Sequence, residues 1–186
     1  MNAQLDIETI EAVLAKADQL YAEWEISAAL DELAGSITKQ LCNKHPVCLT
    51  IMLGGLVPAG QLLPRLNFPV EVDYIHANRY RGATEGSELH WIKYPTIPLA
   101  NRTVLLIDDI LDEGLTLQAV VEYCQKQGAE QVFTAVLVEK QHNRRIGLQH
   151  ADFTGLTVPD RYVFGYGMDY QNQLRYVAGI YAVHGL

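Results

Sequence analysis

The segment 103–139 constrains the fold more than any other part of this sequence. It opens with the continuous apolar run Val104–Ile107, and a second run follows at Val132–Val138; both are typical of strands buried on two faces. Between them, apolar residues recur at helical spacing over Thr116–Gln127, and Gly128 stands where a glycine commonly ends a helix. Strand, helix and strand at this spacing predict a right-handed βαβ unit. The predicted fold class is therefore α/β, with a mainly parallel central sheet flanked by helices.

Three further apolar runs extend the predicted sheet: Val47–Leu53, Val70–Ala77 and Leu89–Tyr94. The last two are separated by Asn78–Glu88, a polar segment that is either a plain hairpin loop or a mobile lid. The first forty-odd residues have helical periodicity, with Ser27 as a candidate N-cap. A length of 186 residues suits one domain, so we predict a single domain over 1–186.

Composition and charge exclude several classes of protein. The chain has 22 acidic and 14 basic side chains, and its net charge of −8 argues against a general nucleic-acid binder. Its three cysteines have no CxxC spacing, which fits a reducing cytoplasm better than a disulfide framework. The N-terminus does not resemble a signal peptide, and glycines and prolines interrupt the longest uncharged stretch. We therefore expect a cytoplasmic protein whose partners include neither nucleic acid nor membrane.

Polar segments follow three of the predicted strands. In open parallel sheets, ligands bind beyond the carboxyl ends of the strands, so we expect Leu53–Gly55, Asp108–Thr116 and Glu139–Lys140 to face one cleft. Residues 112–116 lead into the predicted helix, where unpaired backbone N–H groups and the helix dipole suit a phosphate. The alternative is an ordinary capped helix start. Neither a Walker A motif nor a GxGxxG fingerprint is present, which disfavours P-loop hydrolases and dinucleotide binders.

The adjacent carboxylates of Asp108 and Asp109 favour a ligand in that cleft. Two carboxylates at the end of a buried strand are costly unless they bind something. Sugar hydroxyls or a hydrated Mg²⁺ suit them, whereas pairing with a nearby cation is a structural alternative for one of the two.

Four segments of the chain resemble one family. Residues 104–116, VLLIDDILDEGLT, resemble the phosphoribosyl-diphosphate (PRPP) signature of type I phosphoribosyltransferases. LVEKQHNRR at 137–145 resembles the lysine-bearing loop of the hypoxanthine-guanine members of that family, and residues 151–170 resemble their purine hood. Met52–Gly55 fits their pyrophosphate loop. The resemblance implies a type I phosphoribosyltransferase fold with a lid at about 78–88 and a purine hood at about 151–186, where C-terminal and N-terminal segments cover the site.

The resemblance also implies a reaction that joins hypoxanthine or guanine to the ribose of PRPP and releases pyrophosphate, giving IMP or GMP in purine salvage. Asp108 and Asp109 would hold the ribose hydroxyls directly or through Mg²⁺. Asp112 would exchange a proton with N7 of the purine. The 5′-phosphate would bind one loop, chiefly through backbone N–H groups: Glu113, Gly114, Leu115 and Thr116.

The base would meet residues from later in the chain. Lys140 would donate to O6 of the purine, and this donor-only ammonium mismatches the amino group of adenine. Tyr162 would stack on the purine, and Val163 would bind it through its backbone.

Pyrophosphate would meet a metal and two arginines. Asp169 would bind a Mg²⁺ that also touches pyrophosphate, which Arg175 and Arg144 would grip. Arg145 is the alternative to Arg144 for this contact with pyrophosphate. The family likeness further suggests a homodimer or a homotetramer.

The chain departs from the pattern of that family at three places. Leu53 precedes Gly54 where a lysine is common. The non-proline cis peptide that the family often has at this place is still expected, at Met52–Leu53. The lid reads Arg79–Tyr80 where Ser-Tyr is common. Glu113 stands where Thr or Ser is commoner, so a hydroxyl contact to phosphate is absent there.

Two other functions are compatible with the same fold. The first is an RNA-binding regulatory protein, which needs a basic face that a net charge of −8 does not favour. The second is a phosphoribosyltransferase that prefers xanthine. Lys140 disfavours adenine as the base.

The arginines of the predicted lid give a first test. We expect Arg79, together with Arg81, to supply the positive charge that Leu53 does not provide. Arg79→Ala should therefore raise the Michaelis constant for PRPP in steady-state assays. An unchanged Michaelis constant would refute this compensation.

Overall fold

The structure is a computed structural model that describes residues 5–79 and 89–185. In the described residues it contains two sheets and four α-helices. The elements in chain order are α1 (Ile7–Lys16), β1 (Asp18–Ala22), α2 (Glu23–Leu41), β2 (Val47–Met52), α3 (Leu56–Leu62), a 3-10 turn (Leu63–Arg65), β3 (Glu71–Arg79), β4 (Leu89–Lys93), β5 (Thr103–Leu111), α4 (Leu115–Lys126), β6 (Gln131–Gln141), β7 (Phe153–Pro159), β8 (Val163–Phe164) and β9 (Gly179–Ala182).

The main sheet has the strand order β4-β3-β2-β5-β6-β7. Five of these strands pair in parallel, and β4 runs antiparallel to β3 at one edge. This arrangement confirms the predicted α/β class with a mainly parallel sheet. The connection β5–α4–β6 is the predicted βαβ unit, and Gly128 follows α4 with a left-handed φ of 82°.

Helices cover both faces of the main sheet at its centre, and alternate residues of β5 show this. Leu105 and Ile107 pack in one apolar cluster with residues of α2, such as Ile26. Val104 and Leu106 pack in the other cluster with α4. A strand covered on both faces needs apolar residues at successive positions, which explains the continuous run that the sequence shows.

The helical prediction for the first forty-odd residues was wrong in part. Residues 18–22 form β1, which pairs antiparallel with β9 through contacts such as Asp18↔Ala182. Ser27 lies inside α2 and does not cap it; the helix begins after Ala22, whose backbone N–H donates to the Glu25 carboxylate at 2.9 Å. The strand was missed because its partner comes from the far end of the sequence.

The central strands are longer than predicted. β5 was expected to end at Ile107 and β6 at Val138, but their parallel pairing continues to Leu111↔Glu139. Asp108 and Asp109 therefore lie within a strand and not in a loop. The polar side chains concealed the continuation, because backbone hydrogen bonds to the neighbouring strand maintain it whatever the side chain.

The small sheet has the order β1-β9-β8 and joins N-terminal and C-terminal segments, as expected for the hood. The range predicted for the hood also contains β7, which pairs with β6 in the main sheet. Most of the predicted lid, including Tyr80, lies outside the described residues, and Arg79 is described only as the last residue of β3. Among the helices of the described ranges, none has the length and apolar character needed to cross a membrane.

Candidate active site

A polar cavity of about 590 Å³ lies at the carboxyl ends of β2 and β5. Leu53 and Gly54, which follow β2, share its wall with residues 108–116, as predicted. Gly55 and the third predicted segment, Glu139–Lys140, are not among the residues that line it. Eleven predicted site residues line it: Leu53, Gly54, Asp108, Asp109, Asp112, Glu113, Gly114, Leu115, Thr116, Asp169 and Arg175.

The acidic pair of β5 is buried in the floor of this cavity. The backbone N–H of Asp109 donates to the Asp108 carboxylate at 3.0 Å, and the N–H of Ile110 donates to the Asp109 carboxylate at 2.8 Å. Burial raises the pKa of both carboxyls, and the neighbouring charge of Asp109 raises that of Asp108 further. A ligand that brings hydroxyl donors or a cation stabilises the ionised form of such groups.

The donor set of the cavity fits Mg²⁺ held partly by a substrate. Within residues 5–79 and 89–185, no group of three or more acidic, histidine or cysteine side chains could hold a metal ion. Mg²⁺ usually takes one or two protein carboxylates and completes its shell with waters and substrate phosphates. The buried oxygens of Asp108 and Asp109 match that requirement.

The loop after β2 packs tightly against the acidic pair. The peptide bond between Met52 and Leu53 is cis, as predicted. A Cβ atom on Gly54 would overlap the Asp109 carboxylate. A Cβ atom on Gly55 would lie 2.6 Å from the carbonyl oxygen of Ile51 and 2.7 Å from that of Ile107, closer than real Cβ contacts allow.

The start of α4 forms a second wall. Gly114 precedes the helix with a φ of 80°, a conformation that favours glycine. The first helical hydrogen bond runs from the N–H of Gln118 to the Gly114 carbonyl, so the N–H groups of residues 115–117 have no partner within the helix. Residues Gly147 and Leu148 donate backbone hydrogen bonds to Glu113 and Gly114 at 3.0 and 3.2 Å, which ties this wall to a second loop.

Asp112 connects the cavity to the end of β6. Its Oδ2 accepts from Lys140 Nζ at 2.7 Å, and its Oδ1 lies 2.7 Å from His142 Nε2. Partial burial acts to raise the pKa of Asp112, but Lys140, His142 and Arg144 outweigh it, so the pKa lies below its ordinary value. Lys140 is itself buried, so it is not a solvated surface lysine.

The structure separates the roles of the two adjacent arginines. The Arg144 side chain is 49% exposed; it binds both oxygens of Asp160 and lies 3.5 Å from Asp112. The Arg145 side chain is 9% exposed and donates to the Glu139 carboxylate at 2.9 Å and to the Lys140 carbonyl at 2.6 Å. Arg145 therefore holds the loop, and Arg144 has the more accessible guanidinium.

The predicted residues from the last part of the chain lie either on the cavity wall or in the hood. Arg175 and Asp169 form an ion pair at 2.6 Å on the cavity wall, and the second Asp169 oxygen accepts the backbone N–H of Asn172. Tyr162 and Val163 do not line the cavity. Tyr162 is partly exposed in the hood, and Val163 is buried there in β8.

Two residues that contact this site were not predicted: His142 and Asp160. A signal for the first was present, because side chains two positions apart on an extended strand point the same way. His142 follows Lys140 by two positions and lies one residue beyond the end of β6. Asp160 carried no such signal, since its contact with Arg144 joins two loops.

The chain belongs to the phosphoribosyl transferase domain family, whose model matches residues 16–172. The hypoxanthine-guanine phosphoribosyltransferase of Staphylococcus aureus is 31% identical over 157 residues, which cover 84% of this chain and 87% of that protein. A solved hypoxanthine phosphoribosyltransferase from Staphylococcus aureus superposes with a TM-score of 0.86 at 28% identity and covers 96% of both chains. The Trypanosoma cruzi hypoxanthine phosphoribosyltransferase in complex with the product IMP gives 0.84 at 25% identity, over 91% of this chain and 96% of that one.

Close packing of the loop after β2 gives a prediction for stability. A methyl group on Gly55 meets two backbone carbonyls of adjacent strands, so Gly55→Ala should lower the free energy of unfolding by about 1–3 kcal/mol. The matched control is Gly60→Ala within α3, where nothing lies within 4 Å of the added atom. This control should raise the free energy of unfolding by roughly 0.5–1 kcal/mol in urea titrations. Equal stability of both variants would contradict the packing described.

Proposed function

We propose that this chain transfers the 5-phosphoribosyl group of PRPP to hypoxanthine or guanine, giving IMP or GMP and pyrophosphate in purine salvage. The observation that carries the proposal is the 2.7 Å contact of Lys140 with Asp112, next to the acidic pair and the start of α4. One donor and one acceptor at this place match O6 and the N7 hydrogen of a 6-oxopurine. The similarity to the hypoxanthine-guanine and hypoxanthine phosphoribosyltransferases of Staphylococcus aureus supports the same assignment.

Lys140 and Asp112 together recognise and activate the base. Lys140 leaves the Asp112 Oδ2 and donates to O6 of the purine, while Asp112 accepts the N7 hydrogen as N9 attacks the ribose. Such general acid–base help contributes about 10²–10⁴-fold to a rate. Tyr162 stacks on the purine ring and Val163 binds it through its backbone, in line with the family resemblance.

The cavity holds PRPP through complementary groups. Asp108 and Asp109 accept hydrogen bonds from the ribose hydroxyls, and the backbone N–H groups at the start of α4 bind the 5′-phosphate. Asp108 and Asp109 would hold a Mg²⁺ at the ribose, and Asp169 would hold a separate Mg²⁺, which would supply charge neutralisation to the pyrophosphate leaving group. Arg175 exchanges its pairing with Asp169 for pyrophosphate, which Arg144 also contacts.

An assay of four bases tests this function. Hypoxanthine and guanine should form nucleotide with PRPP and Mg²⁺, and a chelator should abolish the reaction. Adenine should react roughly 10⁴-fold less efficiently, because its amino group leaves Lys140 without an acceptor. Absence of turnover with every base would overturn the proposal, and faster turnover of xanthine would support the xanthine alternative. Salt-dependent RNA binding without turnover would support the RNA-binding alternative.

We further propose that the protein is a homodimer or homotetramer. Val72 and Tyr74 on β3 and Ile92 on β4 are 52%, 42% and 51% exposed. They share one face of the sheet, because they alternate with Ile75 and Trp91, which pack in the cluster on the opposite face. An exposed group of large apolar side chains commonly marks an interface.

A charge placed on this face should disrupt assembly. Val72→Lys is expected to shift the protein toward monomer in sedimentation velocity, because a lysine is costly to bury without a partner. Ile7→Lys serves as the control, since Ile7 on α1 is 73% exposed and lies on another element. An unchanged sedimentation coefficient in Val72→Lys would exclude this face as the interface.

A further inference from the structure

His142, the first residue of the loop that follows β6, contacts the proposed base-activating carboxylate of Asp112. Its side chain is only 3% exposed, and its Nε2 lies 2.7 Å from Asp112 Oδ1. Its Nδ1 accepts the backbone N–H of Arg144 at 3.1 Å. A neutral imidazole carries one ring hydrogen, so acceptance at Nδ1 places that hydrogen on Nε2. His142 is therefore a donor to Asp112.

The two oxygens of Asp112 consequently have different partners. Oδ2 accepts from Lys140 and Oδ1 accepts from His142. In the proposed reaction, Lys140 turns to O6 of the purine and releases Oδ2. The bond from His142 does not involve the base, so it persists while Oδ2 becomes available.

We propose that His142 is a positioning residue for base activation, which fixes Oδ1 of Asp112 and so aims Oδ2 at N7 of the purine. This inference rests on the proposed function. The N7–H bond breaks and its proton bonds to Oδ2. The electron pair of that bond stays on N7, the lone pair of N9 forms the bond to ribose C1′, and pyrophosphate leaves with the electron pair of its bond to C1′. His142 retains its own proton throughout.

The other charged groups around Asp112 do not replace this contact. Lys140 serves O6 during the reaction, and Arg144 reaches Oδ1 only at 3.5 Å while it pairs with Asp160. Glu113, the acidic neighbour of Asp112 in the chain, cannot donate a hydrogen bond in its ionised form. His142 is thus the buried donor that stays with Oδ1.

Three substitutions separate this role from a structural one. In His142→Gln the amide nitrogen lies near the place of Nε2 and can still donate to Asp112. In His142→Asn the shorter amide lies near the place of Nδ1, so it can accept from the Arg144 N–H but cannot reach Asp112. His142→Leu removes both contacts. His150→Leu is the matched control, because His150 lies on the same loop with its side chain 79% exposed.

Positioning by His142 predicts an ordered series of rates. His142→Asn and His142→Leu should lower kcat by about 10²-fold, because misplacement of a catalytic group has effects of that size, and leave the Michaelis constant for PRPP unchanged. His142→Gln should retain most of kcat, and His150→Leu should equal the wild type.

The same series should appear in the pH profile. His142 is among the groups that lower the pKa of Asp112, so its loss should raise that pKa and move the acid limb of kcat/KM to higher pH. Asn and Leu should show this shift, and Gln should not.

The experiment measures both readouts for wild type, the three variants and the control, with hypoxanthine and PRPP. Higher activity of the Asn variant than of the Gln variant would show that only the contact of His142 with the Arg144 N–H matters, and would overturn the inference. Unchanged kcat and an unchanged pH profile in all variants would overturn it as well. If the Leu variant does not fold, the Asn and Gln pair still decides. No turnover by the wild type itself would instead count against the proposed function.

Discussion

Parallel pairing of β5 between β2 and β6 is the constraint on which the site depends. This pairing brings the carboxyl ends of the three strands to one edge, where their following segments meet. The acidic pair and Lys140 come from distant parts of the sequence, yet each is placed by the backbone register of its strand. Leu53 and Gly54 follow directly after β2. The chemistry of the cavity is therefore built on rigid elements, and the loops only complete it.

The ion pairs at the site match each charge with an opposite one, and the acidic pair is matched by backbone donors. Asp112 is shared between Lys140 and His142, and Asp169 pairs with Arg175. The two carboxyls of β5 have backbone donors but no ion pair among the described contacts, and burial raises their pKa. A net charge of −8 is thus compatible with an anionic substrate, because attraction to phosphate depends on local groups.

The parts of the structure that local patterns encode could be predicted from the sequence, and the parts that long-range pairing encodes could not. The βαβ unit and the acidic pair were visible because residues 103–139 are contiguous. β1 was missed because it forms a strand only through its antiparallel pairing with β9, which lies at the other end of the sequence. The ends of β5 and β6 were placed too early, because the residues there are polar and do not continue the apolar pattern of a buried strand. His142 was missed although its spacing from Lys140 was visible, because its contact with Asp112 joins segments that are distant in the sequence.

The backbone hydrogen bonds from residues 147 and 148 to residues 113 and 114 make one unit of two loops that belong to different halves of the site. One loop carries the groups proposed for phosphate, and the other leads from the groups proposed for the base. If the first ligand to bind orders both loops, the second ligand does not meet the entropy cost of ordering them again. If binding of either ligand orders this unit, the two ligands are thermodynamically linked, and because linkage is reciprocal each then raises the affinity for the other by the same factor.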